Sequence, residues 1–456
     1  MKTTATAVAV LCLALAAGCT SDGDPEPDPS TISSGTSDSP DADDSGSVSP
    51  TGSPDGSDDP DDSGSPQPAD GPVVAFDPAG QTTFEETDVR DVAVGADHVL
   101  TMTGETLRGR SLPGLEETWT QPSGTGSFAD LWADPDSEWG YALEVRTVPG
   151  TGTRVGYDEL TVRRFDVADG TVAGQVSTRV PQDPRGSSGP ATGRIVAVQG
   201  SRVVVDAAVA DPDAVHATAV LDLVAGKTAW KSRGSEPLIA TRQLVVVSTG
   251  TPSAAGTVDA RDLRTGKRRW TALPGTLAAS AVGAGPGSVV IARDDNVFAE
   301  HSVTPLSLST GRPGPAQVST DFDWSCAPAS SSVAVCSLPE ADQVVGWNLR
   351  RNRARWTLPT ATRFAPIVTL VQDGLVYGLL DSGAGVVVKA VSGQDVKQSG
   401  GAAPKGVNAW GGIVHYGDRA IFVPASTTGA PAATDSPEVP ASPTASETGS
   451  ETSAAE

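Results

Sequence analysis

The chain has 456 residues and a formal net charge of −24, but the charge is not spread evenly along it. Residues 20–71 hold 14 acidic side chains and no basic one, and residues 425–456 hold 5 and none, so the flanks account for most of the imbalance. Residues 72–424 are close to neutral, which excludes the basic footprint of a nucleic-acid binder, and they are enough chain to bury a substantial core.

Met1-Lys2 supplies a short positive start, and Ala5–Ala17 is an apolar run of about 13 residues. That is shorter than the ~20 residues a membrane-spanning helix needs, and it suits a signal peptide over residues 1–18. The run ends in Leu15-Ala16-Ala17-Gly18-Cys19, which resembles the bacterial lipobox, although Leu15 sits one place earlier than in the usual pattern. The resemblance implies that Cys19 is diacylated and becomes the new N-terminus. Residues 20–71 then read as an acidic stalk with too few apolar side chains to offset ordering entropy, and residues 425–456 as a tail of the same kind. At ~5–6 Å × √n, a flexible stalk of that length has a root-mean-square reach of about 40 Å.

Of the four cysteines, Cys12 lies inside the signal segment and Cys19 takes the lipid, which leaves Cys326 and Cys336. Two short apolar runs flank the turn between them, and the pair is symmetric about position 331. In an exported protein this predicts a disulfide across a hairpin, contributing roughly 2–3 kcal/mol by loop closure.

Between 72 and 424 no stretch keeps helical spacing. Short Val/Ile/Leu runs alternate with Gly, Pro, Asp and Ser, which is the pattern of strands and hairpins. Beneath it lies a repeat. LDLVAGKTAW (221–230) and ARDLRTGKRRW (260–270) share Asp, then Gly, then Trp: Asp222, Gly226 and Trp230 in one, Asp262, Gly266 and Trp270 in the other. WNLRRNRARW (347–356) keeps Trp356, with Asn348 and Asn352 in place of Asp and Gly, and looser copies end near 119, 174, 315 and 397. Physically this is a strand–turn–strand unit: Gly supplies positive φ, Asp bonds the turn amides, and Trp fills the gap to a neighbouring sheet. Seven units are complete. Residues 72–84 read as the last two strands of an eighth and residues 407–424 as its first two, so that pairing of the termini closes a ring. The expectation is an all-β, eight-bladed β-propeller, with seven blades if 72–84 is merely an arm.

The Asp-x-x-Thr-Gly-x-x-x-Trp ending resembles the pyrroloquinoline-quinone-like propeller repeat, shared by quinoprotein dehydrogenases and by non-catalytic envelope lipoproteins. For the dehydrogenases the resemblance implies adjacent cysteines at the cofactor, and this chain has none. Its four histidines are far apart, with no metal-ligand spacing. Two basic runs (Arg264, Lys267, Arg268 and Arg269; Arg350, Arg351, Arg353 and Arg355) read as solvated outer strands. The longest insertions, near 150, 185 and 212, are expected on one face of the ring, where a partner binds.

The sequence therefore leads to a non-enzymatic, lipid-anchored scaffold without cofactor or metal, on the extracytoplasmic face of the cell membrane and engaging an envelope protein. The alternative is a ligand-binding or quinone-dependent redox propeller that uses the central channel.

Overall fold

Among the described residues, alternating apolar runs separated by turn residues give 31 strands and a single turn of 3-10 helix (Pro78–Gly80). The structure is a computed structural model that describes residue 69 and residues 72–426, apart from breaks at 85, 87, 135–136, 152–154, 182–191, 210–214, 252–253, 295–300, 320–323, 339–341 and 397–401. Cys19, the stalk, most of the tail, and the insertion residues near 185 and 212 lie outside the described residues.

The strands form eight antiparallel sheets, the blades of an eight-bladed β-propeller. Blades 1 to 6 span 91–122, 127–181, 192–233, 236–276, 278–319 and 325–358, each with four strands. Blade 7 (367–389) has three strands among the described residues, and blade 8 combines 406–424 with Thr82–Thr83. The first strand of each blade is innermost, and in blades 2 to 7 it carries a bulge, as at Phe128/Asp130 and Ile195/Ala197. An extra residue bends the strand, here where it lines the channel.

The core is divided among the seams. Eight apolar clusters each join one blade to the next, for example Leu143 and Leu160 of blade 2 against Val203 and Leu221 of blade 3. The repeat tryptophans close these seams. The indole N–H of Trp119 donates to the Val167 carbonyl at 2.8 Å, Trp230 to Leu263 at 3.0 Å, Trp270 to Leu308 at 2.8 Å and Trp356 to Ala390 at 2.8 Å. Every acceptor belongs to the repeat turn of the following blade. The turn glycine there has positive φ, and the ring lies against it: a Cβ on Gly170, Gly266, Gly311 or Gly393 would stand 2.6–2.7 Å from the preceding blade's indole. One residue thus satisfies two demands, backbone conformation and close approach.

The exceptions follow the sequence. Blade 2 has Gly174 where the indole would be, and Gly226 of blade 3 accordingly has nothing within 4 Å of its missing Cβ. At the seam between blades 5 and 6 the direction reverses. Asn352, at φ +46°, donates back to the carbonyls of Val303 and Pro315, both at 3.0 Å, and accepts from Trp347 at 3.2 Å.

Ring closure differs from the two-plus-two sharing read from the sequence. The C-terminal segment supplies three strands, Gly406–Asn408, Gly411–Tyr416 and Arg419–Pro424, and the N-terminal segment supplies one, with Thr82 opposite Phe422 and Thr83 opposite Ile421. The reason is local. Asp77 accepts from the Ala79 amide at 2.9 Å and caps a 3-10 turn opened by Pro78, which offsets the chain without reversing it. Phe76, bridged to Ala425, and Thr82–Thr83 therefore lie along the same partner strand, not as two arms of a hairpin.

Cys326 and Cys336 are direct cross-strand partners in blade 6, with sulfurs 2.13 Å apart, at bonding distance.

Candidate functional sites on the ring

Strand direction gives the ring two faces. One carries the repeat turns. The other carries the loops between second and third strands, including the described part of the insertion near 150, together with the described blade-to-blade connections.

The repeat residues belong to the turn face and are structural. Asp222 accepts from the Ala225 amide at 3.0 Å, and Asp262 accepts from the amides of Arg264 at 3.1 Å and Thr265 at 2.9 Å. Asn348 does the same for Arg350 and Arg351. The Arg269 guanidinium, 2.5 Å from Asp262, leads in holding that carboxyl down at about 2. The basic runs are only partly on outer strands: Arg264, Arg350 and Arg351 sit in turns, whereas Arg268, Arg269, Arg353 and Arg355 lie on strands. Arg202, Arg242, Arg264 and Arg269 surround a groove of about 630 Å³ over blades 3 to 5. Arg202 and Arg269 are paired with Asp222 and Asp262.

On the inner strands, carboxylates cap the open edge of the next blade. Asp91 of blade 1 accepts from the Leu131 amide at 3.2 Å, and Asp130 of blade 2 accepts from the Ile195 amide at 2.5 Å. Burial pushes Asp130 up to about 7, reinforced by the charge of Asp91 beside it and opposed by the Ile195 amide. The folded chain thus holds this proton more tightly than the unfolded one. The corresponding stability is complete below the ordinary carboxyl range and is lost as pH rises toward 7. Asp130→Asn keeps an acceptor for Ile195 and removes the repulsion. The variant is expected to exceed wild type by on the order of 2–4 kcal/mol at pH 8 and to match it near pH 4 in urea titrations. An equal offset at both pH values would remove the case for a retained proton.

The other face is where blade 2 grows. Its strands Trp139–Val148 and Tyr157–Asp166 pair in continuous register out to Val148 opposite Tyr157, and Val172–Pro181 pairs alongside out to Pro181 opposite Tyr157. They run three residues past the start of the inner strand Ser127–Ala133, or about 10 Å at ~3.3 Å per residue. Glu159 stands between Arg146 at 3.8 Å and Arg179 at 3.6 Å, and the Arg179 guanidinium lies 4.6 Å from the centre of the Tyr157 ring. Val155, Phe364, Ile367 and Tyr416 are exposed on this face.

One cluster escaped the sequence reading. The fold brings His216 to Asp206 and Glu236 near the rim of the same face, although no metal-like spacing links them. Ten residues separate Asp206 from His216, a hairpin distance and the one signal that could have revealed the pair.

No family model matches the chain, and no curated protein matches its sequence. Among solved structures it is similar to the C-terminal WD40 domain of Sif2, with TM-score 0.50 and 11% identity, covering 78% of this chain and 100% of that one. It is also similar to the computationally designed Ika8 protein (TM-score 0.49, 13% identity, 78% and 97% covered) and to BamB from Moraxella catarrhalis (TM-score 0.44, 12% identity, 77% and 100% covered). At such identities the likeness is one of fold. The chain is a β-propeller protein, with eight blades closed by its own N-terminal strand.

Proposed function

We propose that the chain is an exported lipoprotein of the pyrroloquinoline-quinone-like repeat type, whose propeller binds an envelope protein and performs no chemistry of its own. The observation that carries this reading is the raised hairpin of blade 2, on a face that also exposes Val155, Phe364, Ile367 and Tyr416. A projecting edge that exposes Val155, on a face where Phe364 and Ile367 of blade 7 and Tyr416 of blade 8 are also exposed, suits a docking platform. The repeat residues, by contrast, are spent on turns and seams. Chain entry supports the same arrangement. The Ala69 amide donates to the Ala409 carbonyl and the Ser426 amide to that of Ala75, so both flanks meet the ring on the turn face, opposite the raised hairpin.

Cys19→Ser is expected to move essentially all of the protein from the membrane fraction to the medium, and retention at the membrane would exclude the lipid anchor. In-cell cross-linking with mass spectrometry tests the platform. One abundant envelope protein should be trapped, and it should be lost when residues 149–156 are replaced by a two-residue Asn-Gly turn, a change that spares the paired strands. Trapping undiminished by that replacement places the partner elsewhere and overturns the reading.

A further inference from the structure

Asp206 lies on the second strand of blade 3 (Arg202–Val209) and His216 on its third (Val215–Asp222). Asp206 is opposite Thr218, so His216, two residues earlier, shares its side of the sheet on the diagonal. Glu236 opens the inner strand of blade 4 (Glu236–Ala240). It is brought across the seam by a short connection that is itself pinned. The Gly234 amide donates to the His216 carbonyl at 2.9 Å, and the Thr218 hydroxyl donates to the Ser235 carbonyl at 2.8 Å. These contacts hold the start of the Glu236 strand beside the strand that carries His216.

The imidazole stands between two carboxylates. His216 Nδ1 is 3.0 Å from Asp206 Oδ1, and its Nε2 faces Glu236 Oε2 at 4.0 Å. One ligand atom from each residue lies within 4.8 Å of the others. Asp206 is buried, whereas His216 and Glu236 are half-buried and reachable from solvent. Arg194, with Nη2 3.4 Å from Asp206 Oδ2, offsets one of the two negative charges. Burial, and after it the nearby Asp206 charge, raises the Glu236 carboxyl, although His216 pulls it down; Asp206 and Glu236 outweigh burial in raising the imidazole.

We propose that Asp206, His216 and Glu236 form a binding site for a divalent transition-metal cation of the zinc class, stapling blade 3 to blade 4. Asp206 accepts from Nδ1–H and so fixes the tautomer with its lone pair on Nε2, the arrangement that orients metal-bound histidines. Nε2 and the Glu236 carboxylate are the direct ligands. Zinc–nitrogen and zinc–oxygen bonds of about 2.0–2.2 Å span the 4.0 Å gap, and a modest rotation of Glu236 brings the angle toward tetrahedral. Water completes the coordination from the open side. An imidazole nitrogen in the set favours zinc, copper or nickel over calcium or magnesium. The site does not depend on the scaffold reading.

The test is isothermal titration of zinc chloride into the tag-free full chain at pH 7.5. One tight site per chain is expected, over a weak background from the acidic flanks that persists in every variant. Glu236→Gln, nearly isosteric at a half-exposed position, should weaken the tight site at least tenfold, and Asp206→Asn should weaken it about 10–100-fold. His216→Ala should abolish it, while His415→Ala should leave it unchanged. At pH 5.5, protons compete for Nε2 and affinity falls. The absence of a tight site in wild type overturns the proposal, as does a tight site kept at full strength by Glu236→Gln with its circular dichroism intact.

Discussion

Phe76→Ala is expected to lower the free energy of unfolding by about 3–5 kcal/mol, read as a shift in the urea midpoint at unchanged slope. Phe76 is 2% exposed and comes from the N-terminal arm, yet it occupies the seam between blades 7 and 8 with Tyr377, Val387, Val407 and Val423. Its ring meets Tyr377 edge-on at 6.2 Å, and the Tyr377 hydroxyl donates to the Val73 carbonyl at 2.8 Å. Among its described strands blade 7 has no outer tryptophan, so the arm supplies the wedge that four other seams take from the tryptophan of their own blade. Truncation leaves a cavity where the N-terminal arm meets the last two blades. Phe364→Ala serves as the control: at 69% exposed, it should cost no more than about 0.5 kcal/mol. A loss below about 1 kcal/mol at Phe76 would mean that the arm rests on the ring without closing it.

The second large effect belongs to Trp270. Its alanine variant is expected to lose about 3–5 kcal/mol, because a buried indole, its hydrogen bond to Leu308 and its packing on Gly311 disappear together. The glycines provide an internal comparison. Gly226→Ala meets open space and should cost only the backbone strain of positive φ, about 1–2 kcal/mol. Gly311→Ala adds a clash with the Trp270 ring at 2.6 Å and should cost distinctly more. Equal losses at the two glycines would show that the indole yields freely and the seam is soft.

The blades were legible because turn chemistry is local. Asp222 with Gly226, and Asp262 with Gly266, state a turn within five residues, and a tryptophan four places later marks the outer strand. The hairpin of Cys326 and Cys336 was legible for the same reason, since symmetry about one turn makes the two residues opposite. Asp206 and His216 are also ten apart, and the pairing of Asp206 with Thr218 sets them on a diagonal. What hid the site was Glu236, which arrives from another blade and depends on how two sheets stack, a relation that no spacing records. The closure was misread because Pro78 and Gly80 are turn residues in either event. Whether they reverse the chain or only offset it depends on the waiting edge of Arg419–Pro424, far away in sequence.

That closure also imposes an order of events during synthesis. Phe76, Thr82 and Thr83 are among the first propeller residues a ribosome delivers, and their partners Ala425, Phe422 and Ile421 are among the last. Blades can form one at a time from neighbouring strands, but the latch that makes them a ring has no counterpart until nearly the whole chain exists, and such long-range pairing is slow. A nascent or truncated chain therefore carries an exposed Phe76 and an open strand edge, which a chaperone or protease can read as a mark of incompleteness. The finished molecule hides that mark beneath its own last strand.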